Sequence, residues 1–200
     1  MLHGFILAGG KSSRMGQDKA LLPFGGVPMV QIAVEKLRSF CADVAIVGER
    51  QDLAAFAPIV AGEREGVGPA AGIEAGLRAC RQPWAIFLPI DVPLVPGEML
   101  RRWAEDLIAR NSTAGEYLVA DGRPQSAFCL LPKSALTPWS EGIAAGERRL
   151  DALLLRTGAS ARSVDSLAWV ADPAKVHDWF QNVNTPEDLR EACNGVLKVS

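Results

Sequence analysis

Gly4-Phe5-Ile6-Leu7-Ala8-Gly9-Gly10-Lys11-Ser12-Ser13-Arg14-Met15-Gly16-Gln17-Asp18-Lys19 opens as an unbroken apolar run and then breaks into a glycine loop that carries three cations. A short apolar run ended by glycines is the pattern of a strand buried on both faces of a parallel sheet. The loop suits a polyphosphate: glycines let backbone N–H groups approach phosphate oxygens, Arg14 donates as a planar fork, and Lys19 acts as a mobile point charge. The plainer alternative is a glycine turn with a solvated basic face. A P-loop fits less well, because Gly10-Lys11-Ser12 would need a glycine at position 5, where Phe5 stands.

Outward from this strand the chain alternates. Met29 to Phe40 spaces Val30, Ala33, Val34 and Leu37 as one helical face, and Val44 to Val47 is a second buried strand. Ile59 and Val60 form a short apolar run, Pro69 to Cys80 a helix with proline in its first turn, Ala85 to Leu88 a further strand, and Pro96 to Arg110 another helix. This order predicts an α/β fold: a doubly wound, mostly parallel sheet in three α/β/α layers, with ligands at the carboxyl ends of the strands. Beyond Asn111, Tyr117 to Ala120 and Phe128 to Leu131 read as a strand pair joined by the turn Asp121-Gly122-Arg123-Pro124, a small antiparallel extension. Leu150 to Leu155 reads as helical, and Thr185, Pro186, Glu187 and Asp188 form a capped helix start. No linker divides the chain, so residues 1–200 are expected to form one domain.

Composition restricts the partner. Two hundred residues, 48% hydrophobic and 22% charged, are enough for a well-buried core, and a formal net charge of -2 supplies no basic field for a nucleic acid. A small-molecule ligand is expected. Cys41, Cys80, Cys129 and Cys193 make no CxxC pair and are expected to stay reduced. Met1 to Ala8 is too short for a signal peptide, and no stretch approaches the ~20 apolar residues of a membrane span. A cytoplasmic protein without membrane contact is expected, monomeric by default.

Two further segments carry chemistry. Gly66-Val67-Gly68-Pro69-Ala70-Ala71 satisfies a permissive dinucleotide fingerprint, a weak signal after a weak strand. In Leu88-Pro89-Ile90-Asp91-Val92-Pro93 a carboxylate ends a buried strand. Magnesium takes one or two carboxylates plus substrate phosphates, and Asp91 is the obvious supplier. Taken alone Asp91 reads equally as a turn aspartate before Pro93, and the glycine loop tips it toward the metal. His3 and His177 have no evident serine or cysteine partner for a triad, and His3 reads as structural.

Leu7-Ala8-Gly9-Gly10, Arg14-Met15-Gly16, Lys19, Gly68-Pro69 with Gly72, and Asp91 together resemble the nucleotidyltransferases that activate small phosphorylated compounds. The alanine-glycine-glycine form, Gly146-Glu147-Arg148-Arg149-Leu150 and Asn182-Val183-Asn184-Thr185-Pro186-Glu187-Asp188-Leu189 are similar to the molybdenum cofactor guanylyltransferases, from about Gly4 to Ala192. The resemblance implies transfer of GMP from magnesium-bound GTP to the phosphate of a molybdopterin-type cofactor. It implies that Leu7, Ala8, Gly9, Gly10, Lys19, Gly68 and Asp91 bind the nucleotide, with Asp91 as the metal ligand and Lys19, Arg14 and Asp91 as the catalytic groups. It makes 1–110 the nucleotide-binding half and 111–200 the acceptor-binding half, and on the acceptor side it implies Arg148, Arg149, Asn182 and Asn184, each of which also has an ordinary reading as a turn asparagine or a helix-surface arginine. It leaves room for transient contact with cofactor-insertion proteins or molybdoenzymes.

The chain departs from the family at three points. Val47 stands where members commonly have an asparagine, Gly62 where many have an aspartate (Glu63 is shifted by one), and Gln125-Ser126 where a proline often follows the polar residue. The rival expectations are a cytidylyltransferase, a sugar- or alcohol-phosphate nucleotidyltransferase of the same fold, and a non-catalytic nucleotide sensor.

Overall fold

The computed structural model describes residues 1–9, 18–62, 64, 67–165, 167, 169, 170, 176–183, 187–190 and 192. Gly10, Arg14, Gly66, Asn184, Thr185, Pro186 and Cys193, all singled out from the sequence, lie outside the described residues.

The apolar run becomes strand β1 (Leu2–Leu7), and it pairs in parallel with β4 (Asp43–Val47) on one side and β6 (Trp84–Pro89) on the other. β5 (Ile59–Val60) extends β4 in parallel. On the far side β8 (Arg123–Pro132) runs antiparallel to both β6 and β7 (Glu116–Ala120), and β9 (Ser160–Ser163) lies parallel to β7. The seven-stranded order is β5-β4-β1-β6-β8-β7-β9, so the expected antiparallel pair sits inside the main sheet. A separate two-stranded ribbon, β2 (Pro23–Phe24) and β3 (Val27–Pro28), turns through Gly25 and Gly26 at φ 59° and 85°.

Successive strand residues point to opposite faces, and each face has its own helices. Ile6, Ile46, Ile86, Leu88 and Leu130 pack with α1 (Met29–Arg38) and α3 (Gly97–Ala109), through Val30, Val34, Leu37, Leu100, Trp103 and Leu107. Phe5, Val47, Phe87, Cys129 and Leu131 pack with α2 (Pro69–Ala79), α4 (Leu136–Ala144) and α5 (Leu150–Arg156), through Ile73, Leu77, Trp139, Ile143 and Leu153. The result is the three-layer arrangement that the alternation predicts. Gly76 allows α2 its close approach, since a Cβ there would lie 2.5 Å from Phe87 Cε1.

The turn between β7 and β8 is tighter than the four residues read from sequence. Asp121 and Gly122 alone form it, both at positive φ (49° and 67°), the geometry of a two-residue hairpin turn. Arg123 and Pro124 already belong to β8, paired with Ala120 and Val119. The register then shifts between Tyr117 and Leu118, whose partners are Cys129 and Gln125. Residues 126–128 thus bulge from the ladder on the side where the chain's cavity lies.

Cys41, Cys80 and Cys129 are free thiols, and burial pushes all three pKa values up, that of Cys41 to about 12. His3 is buried, stacked on Phe5 at 4.1 Å, and its Nδ1 accepts the Arg81 backbone N–H at 3.3 Å. A short helical turn α6 (Val176–Trp179) follows β9, and residues 187–190 are helical. Among the described residues no helix is long and apolar enough to cross a membrane.

Candidate active site

The first crossover leaves β1 toward β4, and the chain later returns to the opposite side of β1 as β6. That change of direction opens a crevice at the carboxyl ends of the strands. The strand ends are tied to one another: Ala8 N–H donates to Val47 O at 3.2 Å, Ile90 N–H to Leu7 O at 3.3 Å, and Gly48 N–H to Val60 O at 3.0 Å. Beyond these bonds the chain turns away into loops, which line a cavity of about 720 Å³. Pockets of roughly 300–1,000 Å³ are the range that accepts cofactor-sized ligands.

Leu7, Ala8, Gly9, Lys19 and Asp91 all line the cavity. Gly68, Pro69, Ala71 and Gly72 bring the amino end of α2 to one wall. Gly68 caps that helix at φ 65°, a conformation a side chain resists, and among the described residues nothing lies within 4 Å of where its Cβ would stand. Gln125, Ser126 and Asn182, from the second half of the chain, also line the cavity. Val183 N–H donates to Asp91 O at 2.8 Å, which fastens the asparagine segment to the aspartate loop.

Lys19 reaches across the cavity to Asp91, Nζ to Oδ2, at 3.2 Å. The lysine side chain is 13% exposed and the carboxylate 30%. An ammonium and a carboxylate meet where Gly9, a helix amino end and three strand ends converge. That arrangement can hold a polyphosphate and a hard cation together.

Residues 4–183 match the family described as the MobA-like NTP transferase domain. The chain belongs to that family. A molybdenum cofactor guanylyltransferase of Pseudomonas putida is 34% identical over 191 residues, 93% of this chain and 94% of that protein. Its counterpart of the same description in Yersinia pestis is 30% identical over 195 residues, 94% of this chain and 92% of that one. The crystal structure of the molybdopterin-guanine dinucleotide biosynthesis protein A from Archaeoglobus fulgidus superimposes with a TM-score of 0.80 at 24% identity, covering 98% of this chain and 99% of that one. The chain is therefore a nucleotidyltransferase with the α/β fold of that family.

Of the residues singled out from sequence, the structure gathers Leu7, Ala8, Gly9, Lys19, Gly68, Asp91 and Asn182 around one cavity. Arg148 and Arg149 stand outside its lining. Arg148 Nη1 donates to the carbonyls of Ile143 at 2.9 Å and Glu147 at 2.8 Å, and Arg149 pairs with Asp151 at 2.5 Å. Val47 and Gly62, two of the family departures, line the cavity, as do Gln125 and Ser126.

Besides Asp18, which precedes Lys19 in the lining, three charged residues at the site carried no sequence assignment. Arg64 lines the cavity, its Nε on the buried Glu74 at 2.9 Å. Glu49 and Arg50 follow β4 into the lining. Arg50 is 4% exposed, donates to Asp18, and holds Asp52 through Nη2 at 2.7 Å and Nε at 3.0 Å. These hydrogen bonds, first that to Asp52, raise its pKa further above the ordinary arginine value. The available signal was position, since all three stand just past the carboxyl end of a strand in a doubly wound sheet.

Asp91 opens on the cavity as a hard oxygen donor. Among the described residues no three His, Cys, Asp or Glu side chains come together as a metal cluster. One carboxylate completed by substrate phosphates is the donor set magnesium accepts, so the residues fit a cation shared with a nucleotide.

Proposed function

We propose that this nucleotidyltransferase transfers GMP from GTP to the phosphate of a molybdopterin-type cofactor, giving molybdopterin guanine dinucleotide and pyrophosphate. The observation that carries the reading is the Lys19–Asp91 pair inside a cavity whose walls come from the two halves of the chain. The relatives' shared description as molybdenum cofactor guanylyltransferases supports guanine as the base and the pterin as the acceptor.

The reaction is an in-line displacement. An acceptor phosphate oxygen forms a bond to the α-phosphorus of GTP as the bond from that phosphorus to the bridging oxygen of pyrophosphate breaks. Both electrons of the broken bond leave with pyrophosphate, and no protein nucleophile is needed. Asp91 would hold Mg²⁺, which when bound neutralises negative charge on the phosphates. Leu7, Ala8, Gly9 and Gly10 present backbone to the nucleotide, and Gly68 brings the α2 amino end toward its phosphates. Lys19, with Arg14, supplies fixed positive charge where negative charge develops. Lys19 exchanges its contact with Asp91 for a phosphate oxygen when the nucleotide enters.

Asn182, which lines the cavity, serves the acceptor, and Asn184 is assigned to the same role. Arg148 and Arg149 would join them only by giving up their contacts with the end of α4 and with Asp151.

The test mixes the protein with magnesium, a molybdopterin-type acceptor and either GTP or CTP, and follows pyrophosphate release and product mass. Release with GTP and a product heavier by one guanylyl group is expected. Reaction with CTP alone would overturn the base assignment and keep the chemistry. Tight nucleotide binding without release would favour a nucleotide sensor.

A further inference from the structure

Arg50 is an arginine with almost no access to solvent at the edge of a polyphosphate cavity, held by two carboxylates. Its partner Asp18 divides its two oxygens. Oδ1 accepts the Ala20 N–H at 3.0 Å and so caps the 3-10 turn Lys19–Leu21, while Oδ2 accepts from Arg50 Nη2. Asp52 takes Nε at 3.0 Å and shares the same Nη2 at 2.7 Å, and Leu53 N–H closes the backbone turn on Arg50 O at 2.9 Å. A continuous chain of contacts therefore runs Asp52, Arg50, Asp18, the turn, Lys19, Asp91. It joins the end of β4 to the exit of the glycine loop and then to the end of β6.

The arrangement also solves a charge problem. Asp18 lines the same cavity as Lys19 and is its neighbour in sequence. An unneutralised carboxylate there would compete with phosphate for the lysine and repel the incoming nucleotide. Arg50 occupies the one oxygen of Asp18 that the turn leaves over. A bidentate-capable guanidinium, already charged and rigid, suits this bridging of two carboxylates better than an ammonium.

We propose that Arg50 is a positioning residue for nucleotidyl transfer: it neutralises Asp18 and fixes the Lys19–Leu21 turn, so that Lys19 is aimed at Asp91 and the phosphates. This rests on the nucleotidyl-transfer reading of the site. Arg50 acts through Asp18 and Lys19 and need not touch substrate.

Asparagine at position 18 separates the two parts of this role, because it keeps the capping oxygen and removes the charge that calls for Arg50. We would compare wild type, Arg50→Ala, Asp18→Asn and the double variant by pyrophosphate release, nucleotide binding and thermal midpoint. Arg50→Ala should lose roughly tenfold to a hundredfold in kcat at saturating nucleotide, the range for a displaced charge-stabilising group. The double variant should run within about threefold of Asp18→Asn, since the two effects share one interaction. A double variant as slow as Arg50→Ala, or a loss in Arg50→Ala that only follows its unfolded fraction, would overturn the proposal. If Arg50→Ala does not fold, a double variant at least tenfold slower than Asp18→Asn overturns it equally.

A readout without substrate separates this proposal from the reaction it rests on. Acetylation of Lys19 by acetic anhydride, referred to the exposed Lys133 and followed by peptide mass, should be several-fold faster in Arg50→Ala than in wild type. It should return toward the wild-type rate when asparagine is also present at position 18. Wild-type protein that releases no pyrophosphate with any nucleotide would remove the transfer reading, while the acetylation ratios still decide whether Arg50 holds Lys19. Unchanged ratios would overturn the proposal by themselves.

Discussion

Two carboxylates in this protein meet cations at nearly the same distance and are built for opposite purposes. Glu116, at the start of β7, is 4% exposed and has both oxygens taken, one by Trp103 Nε1 at 2.9 Å and the other by Arg110 Nη2 at 2.9 Å. Asp91, at the end of β6, gives one oxygen to Lys19 at 3.2 Å and faces a cavity of about 720 Å³. A buried acceptor whose bonds are complete holds elements together, here α3 against β7. A partly open acceptor with spare oxygen capacity can trade its partner for a ligand. The difference lies in how fully each carboxylate is satisfied, and the sheet arranges it. The strand ends that open the cavity are those where the chain changes direction, whereas β7 is covered by α3.

The contrast is broken most strongly at the open pair. Lys19→Ala removes a cation whose work is done on the transferring phosphates, so turnover should fall on the order of a hundredfold, about 3 kcal/mol in the barrier. The thermal midpoint should barely move. Steady-state pyrophosphate release beside a melting curve checks both, and turnover within twofold of wild type would remove Lys19 from catalysis.

Glu116→Ala should give the mirror result. It strands the Trp103 N–H in the core and should cost about 2 kcal/mol of stability, the usual penalty for an orphaned buried donor. Arg110 keeps Asp106 at 2.9 Å and remains solvated, so its charge adds little to the loss. The folded fraction should retain wild-type kcat and KM. A variant that melts normally but turns over slowly would mean that Glu116 belongs with the working carboxylates after all.

Legibility in the sequence followed the same division. β1, β4 and β6 could be read because strands buried on both faces leave continuous apolar runs, α1 and α3 because each buries a single stripe, and α2 because Pro69 marks its first turn. β9 left no such mark: Ser-Ala-Arg-Ser is a strand with a polar face that, among the described residues, pairs with β7 alone. The Pro23–Phe24 and Val27–Pro28 ribbon is too short for any period, and α4 carries Pro138, which reads as a breaker although the first helical turn tolerates it. At the site, Lys19 and Asp91 were legible because glycine loops and strand-end carboxylates are local patterns. Arg50 was not, since its meaning comes from Asp18, thirty-two residues away, brought near by the pairing of β1 with β4. Arg148 and Arg149 illustrate the converse, a conspicuous basic pair whose partners in this structure are the end of α4 and a neighbouring aspartate.

The smallest effect concerns a third polar group of the closed kind. Burial lowers the pKa of His3 below its ordinary value; Asp43 opposes this and Arg81 adds to it. The geometry agrees, because Nδ1 accepts the Arg81 N–H and would lose that bond on protonation. The sign follows from proton counting. Below the unfolded value of about 6.5 the unfolded chain binds a proton that the folded chain resists, so stability is lost as pH falls through that value. The slope from one such group cannot exceed about 1.4 kcal/mol per pH unit. His3→Asn keeps an acceptor near the Arg81 N–H and removes the ionisable ring. At pH 8 it should be less stable than wild type by roughly 1 kcal/mol, for lost stacking on Phe5. Between pH 7 and 5, however, urea midpoints should fall less steeply for the variant than for wild type. Parallel slopes would mean that His3 titrates alike in both states, and that its place among the satisfied groups comes from stacking alone.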